Sequence, residues 1–95
     1  MTITIIETRN LTSSSKILET DQVESMFLHL DEGQKVPPCQ MSATVLYYVI
    51  EGQGSLILES EQAELRTGSL AVVPAGTTRS ISAATPMRVL AIQLL

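Results

Sequence analysis

The sequence predicts an all-β fold of the sandwich or barrel type, on three observations. Apolar residues recur with period two, or in short runs rich in Val, Ile, Leu and Thr, and no stretch carries a helical period. Turn residues interrupt these runs at spacings of roughly 8–12 residues. The chain has 95 residues and is 44% hydrophobic, enough to pack one small core, so a single domain over residues 1–95 is expected.

Strands are placed at about 2–9, 15–20, 23–30, 35–41, 44–50, 53–59, 62–66, 69–74, 78–83 and 87–94. A polar loop, Asn10 to Ser15, separates the first two. Asp31 to Gly33 forms a turn. Glu51 to Gly54 reads as a hairpin turn with two glycines able to take positive φ. Ser60 to Gln62, Thr67-Gly68 and Pro74 to Gly76 mark the later turns.

Two strands are apolar on both faces. Val45, Tyr47 and Val49 point one way, and Leu46, Tyr48 and Ile50 the other. Near the end of the chain, Leu90, Ile92 and Leu94 share one face, with Val89 and Ala91 opposite. A strand with one wet face would alternate apolar and polar. Only 17% of the residues are charged, so a second copy is expected to cover one sheet face. The apolar segment Ile3 to Ile6 is placed as a strand that adds to the partner's sheet edge.

Net charge is −4, and the six Lys and Arg are scattered singly, so no basic stripe exists to meet phosphates. Nucleic acid and membrane surfaces are not expected partners. Met1 to Ile6 lacks a basic n-region and a small-residue cleavage site, and Cys39 is the single cysteine. A cytoplasmic protein without an intrachain disulfide is therefore expected.

The segment from Gly33 to Gly54 and the later stretch RTGSLAVVPAGTTR resemble the two sequence motifs of the cupin superfamily, small jelly-roll β-barrels. In the first motif, a glycine is followed after five residues by two histidines one residue apart, then a glutamate and a closing glycine. Here Gly33 opens, Cys39 and Met41 take the histidine places, Val45 the glutamate place, and Gly52 closes. In the second motif, glycine, proline, glycine and histidine fall on Gly68, Pro74, Gly76 and Arg79. The resemblance spans roughly Phe27 to Leu95 and implies the cupin jelly roll.

The metal-binding residues of the motifs are replaced. Val45 offers no donor, Met41 a thioether suited mainly to Cu(I), Cys39 a ligand only as thiolate, and Arg79 a permanent cation. A divalent ion about 4 Å from Arg79 would be repelled by roughly 8 kcal/mol at an effective dielectric near 20. No cofactor is expected. The resemblance then implies a metal-free binding or sensor module for a small molecule, with anions among the candidates, its lumen lined by Cys39, Met41, Val45, Tyr47 and Arg79. Two alternatives stand beside it. One is an isomerase-, lyase- or dioxygenase-like enzyme, metal-independent or using a soft metal, that works through Tyr47, Cys39 and Arg79. The other is a structural or protein-interaction homodimer subunit.

Each marked residue has a plainer reading. Cys39 is expected as a small buried or half-buried apolar residue, with a reactive thiol or a soft-metal ligand as rivals. Met41 and Val45 fill the lumen. The Tyr47 hydroxyl needs a hydrogen-bond partner there. Arg79 has three options: reaching water at the mouth, pairing with Glu7, Glu24 or Glu51, or holding an anion. His29 is expected on the outer face with Phe27, opposite the core residues Leu28 and Leu30. The acidic run Glu59 to Glu64 is a solvated hairpin tip.

Overall fold

The structure is a computed structural model and describes residues 2–95. Nine strands form it: β1 (Ser15–Glu19), β2 (Val23–Leu30), β3 (Lys35–Gln40), β4 (Thr44–Glu51), β5 (Gln53–Leu58), β6 (Gln62–Arg66), β7 (Leu70–Val73), β8 (Thr78–Ala83) and β9 (Met87–Leu94). A five-stranded sheet in the order β1-β2-β9-β4-β7 faces a four-stranded sheet in the order β3-β8-β5-β6. All pairs are antiparallel. The fold is all-β, in two sheets of jelly-roll type. No helix among the described residues is long and apolar enough to cross a membrane.

Strand alternation explains the core. One face of β4 and β9 supplies Val45, Tyr47, Val49, Met87 and Val89, with Leu30 from β2 and Val73 from β7. The facing sheet supplies Leu56, Leu65, Ile81 and Ala83. Residues one step along from these point outward. Tyr48, Leu70 and Val72 are exposed on the other side of the five-stranded sheet, so its two apolar faces have different fates.

Gly52 takes φ +107°, and the chain packs so closely there that an added Cβ would lie 2.2 Å from the Pro86 carbonyl oxygen. Of the two glycines in this hairpin only Gly52 has positive φ. Gly54 does not: its missing side chain instead makes room for the Ser82 carbonyl oxygen, 2.2 Å from where its Cβ would be.

The strand expected over residues 2–9 does not form. Its stretch ends in a short 3-10 turn, Thr8–Asn10, and the residues before that have no ladder partner. The alternating Ile3 and Ile5 are 75% and 79% exposed, so their pattern marks no packed face, and the segment runs along an outer face without a sheet edge for its amides. Thr4, Ile6 and Thr8 border a shallow groove with Ile17, Leu90 and Ile92. Arg88 ties the segment down: its Nη2 donates to the carbonyls of Thr8 and of Leu11, the latter at 2.7 Å. The same guanidinium lies 5.4 Å from the Phe27 ring centroid. Phe27 does share the outer face with His29, yet it is fully buried and His29 is half-buried.

Candidate binding cavity between the sheets

A cavity of about 170 Å³ opens between the two sheets at one end of the roll. Its floor is three strands of the larger sheet, and the register explains its shape. Met26, Ala91 and Tyr47 form one row across β2, β9 and β4, and Glu24, Gln93 and Val45 form the next. Leu28 continues the β2 side, and Cys39 and Met41 close the cavity from the region of β3. Ala91, flanked by two large side chains in its row, leaves the room.

Four of the five residues singled out in the sequence, Cys39, Met41, Val45 and Tyr47, thus line one cavity. Arg79 is not in its wall. It lies on β8 in hydrogen-bond reach of Tyr47, with Cys39 as its strand neighbour on one side and Leu58 on the other. Glu24, Met26, Leu28, Ala91 and Gln93 complete the lining. Their signal was the alternation that puts Glu24, Met26 and Leu28 on one face with the core residue Leu30, but placing that face beside Tyr47 requires the long-range register of β2 on β9.

Arg79 departs from two of its three expected fates. Its side chain does not reach water, for the residue is only 1% exposed. It does not pair with a carboxylate either. Glu7 is held by Arg9 at 3.2 Å, Glu24 by Lys16 at 3.3 Å, and Glu51 lies 4.0 Å from Arg88. Instead, Nε donates to the Thr77 carbonyl at 2.9 Å and Nη1 to the Tyr47 hydroxyl oxygen at 3.2 Å. Nη2 is buried with no partner among the described residues. Arg79 shares the inward face of β8 with the core residues Ile81 and Ala83, which sends the guanidinium between the sheets and away from the surface.

This arrangement fixes the role of Tyr47. An arginine only donates, so the phenol oxygen must accept from it. The hydroxyl proton is then left for an acceptor elsewhere, and the side chain lines the cavity. Burial raises the Tyr47 pKa above its ordinary 10.0, against a lowering by the Arg79 hydrogen bond and charge. The group is therefore a protonated donor at neutral pH. Because the folded state holds this proton more tightly than the unfolded one, its contribution to stability is complete below pH 10 and declines as pH rises beyond that. In a Tyr48→Phe protein, where Tyr47 is the single tyrosine, the tyrosinate absorbance should rise with a midpoint above pH 10. A midpoint below that would mean that the Arg79 charge outweighs burial.

Cys39, expected as buried or half-buried, is exposed. It sits at the open side of the cavity on β3, an edge strand of its sheet, with no strand beyond it to cover the thiol.

The cupin domain family matches residues 26–93, more than half of the chain. The chain belongs to the cupin superfamily. Among the curated proteins, none matches this cupin. Among solved structures, it is similar to a cupin superfamily protein from Desulfitobacterium hafniense, at 20% identity and TM-score 0.83, over 98% of this chain and 84% of the other. It is also similar to KdgF from a Halomonas species, at 23% identity and TM-score 0.79, over 85% and 77% of the two chains. A salicylate 1,2-dioxygenase from Pseudaminobacter salicylatoxidans aligns at 18% identity and TM-score 0.79, over 84% of this chain but only 25% of the enzyme. At such identities these likenesses establish the fold.

The donor set of this cupin does not suit the divalent metal its motifs hold in other members of the superfamily. The structure brings Cys39, Met41 and Val45 to one cavity, and hydrogen-bonds the Arg79 cation to Tyr47 of the same lining. That leaves one thiol, one thioether and no imidazole at these places. No cluster of three or more His, Cys, Asp or Glu side chains placed to hold a metal occurs among the described residues.

Proposed function

We propose that this cupin is a binding or sensor module that takes up one small organic molecule between its sheets and does not transform it. The observation that carries this reading is the Tyr47 hydroxyl. Tyr47 lines an otherwise mostly apolar cavity, its phenol oxygen accepts from Arg79, and the remaining proton is assigned here to a guest. Met26, Leu28, Met41, Val45 and Ala91 supply the apolar walls. An engineered protein cavity of about 150 Å³ accommodates benzene, so the guest is about the size of a single ring and carries one accepting oxygen. An acid/base enzyme built on Tyr47, Cys39 and Arg79 has weaker support. Tyr47 holds its proton too firmly at neutral pH to serve as a base, and the wall carboxylate, Glu24, is engaged by Lys16.

The exposed thiol of Cys39 reports on occupancy. Single-ring and short branched acids, amides and ketones should slow its modification by a thiol reagent several-fold and raise the melting temperature in proportion to occupancy. If no member of such a set changes either quantity at millimolar concentration, the cavity is not a binding site.

A second reading, association with another copy of this chain, is favoured by the outward face of the five-stranded sheet. Leu70 and Val72 on its edge strand β7 are each 60% exposed, next to Tyr48 on β4. A dimer in native mass spectrometry at micromolar concentration is the expected result, and a lone 10.3 kDa species would refute it.

A further inference from the structure

We propose that the guest of this cavity is a monocarboxylate, recognised by charge through the Arg79–Tyr47 pair. The inference rests on the binding reading above and adds the chemical class of the ligand. Arg79 is a permanent cation, 1% exposed, with one nitrogen unpartnered and no described carboxylate in ion-pair reach. A buried charge without a counter-ion is costly, and a site that lacks one in the protein favours a guest that brings it. Tyr47 lines the cavity, and Arg79, outside that lining, is hydrogen-bonded to the Tyr47 hydroxyl. A carboxylate accepting the Tyr47 proton completes a chain from guanidinium through phenol oxygen to anion. The hydrogen bond from Arg79 polarises the O–H in that direction. A neutral amide or ketone could accept the same proton, but would leave the charge of Arg79 uncompensated.

The other polar side chains of the wall limit the guest to one negative charge. Glu24 and Gln93 occupy the row next to Tyr47, and the Glu24 carboxylate already takes the charge of Lys16 at 3.3 Å. A second carboxylate on the guest would lie against Glu24 without a cation of its own.

The test compares benzoate, benzamide and terephthalate, and cyclohexanecarboxylate with its amide, by calorimetric titration of the intact protein at pH 7. Each monocarboxylate should bind at least tenfold more tightly than its amide and more tightly than the dicarboxylate. In Arg79→Met the ratio of carboxylate to amide affinity should fall to about one. Tyr47→Phe should reduce the same ratio, and it keeps the measurement decisive if the methionine variant fails to fold. Amides that match the acids in the wild-type protein would overturn the carboxylate assignment and leave the cavity reading standing. A carboxylate preference that survives Arg79→Met would overturn the role of Arg79. Binding of none of the five compounds, with Cys39 equally reactive in their presence, would end both readings.

Discussion

Gly52→Ala is expected to unfold the protein or cost it about 2–6 kcal/mol. Two terms add at this position. An alanine at φ +107° carries backbone strain of about 1–3 kcal/mol. Its Cβ would also lie 2.2 Å from the Pro86 carbonyl oxygen and 2.9 Å from the Met87 Cα, and forced overpacking costs typically 1–3 kcal/mol or more. Both obstacles are backbone, at the start of the strand that pairs with β2 through Met87 and Leu30, so they cannot turn aside as a side chain would. Gly68→Ala is the control. It meets φ +89° with no atom within 4 Å, and should lose only about 1–2 kcal/mol. Urea midpoints with unchanged slope measure both. Equal losses in the two variants would show that the close approach of the β4–β5 turn to β9 is not part of the native packing.

Arg79→Met should leave the ligand-free protein at least as stable as the wild type. Desolvating an ion costs several kcal/mol even after relaxation, and here no anion offsets it. The two hydrogen bonds of Arg79, to Thr77 and Tyr47, recover part of that cost. Replacing buried ionic groups by apolar ones of similar volume has proved neutral or stabilising by about 1–4 kcal/mol. For a domain of this size each kcal/mol corresponds to about 4–8 °C in melting temperature. Thermal unfolding without ligand is the measurement. A loss of more than about 1 kcal/mol would make Arg79 a structural residue whose hydrogen bonds outweigh its desolvation. Stability unchanged or raised, together with lost carboxylate preference, would identify a charge kept in the core at a stability cost for the sake of a ligand.

Much of the fold was legible because its signals are local. Gly33, Gly52, Gly68 and Gly76, the glycines of the two motifs, are the four that take positive φ. A residue without Cβ at a turn between two apolar runs announces that conformation by itself. The period-two reading put Val45, Tyr47 and Val49 on one face, and that face is the buried one. Gly54 was misread as a second turn residue because nothing local signals that the Ser82 carbonyl passes over it. The N-terminal segment was misread as a strand because its isoleucines alternate, while what holds it is the Arg88 side chain, nearly eighty residues away in sequence.

The chain alone therefore determined that this protein is a β jelly roll of the cupin superfamily, and that imidazole and carboxylate are missing from the motif places where a metal would be held. Those are matters of residue type and spacing. The three-dimensional packing decided that Cys39 is exposed, that Ala91 hollows a cavity beside Tyr47, and that Arg79 ends in the interior facing a phenol oxygen instead of water or a carboxylate. Whether a long cationic side chain reaches solvent depends on which face of its sheet it occupies and on what lies across from that face. Those neighbours come from segments far apart along the chain, meeting only when β2 pairs with β9 and β8 is enclosed between β3 and β5.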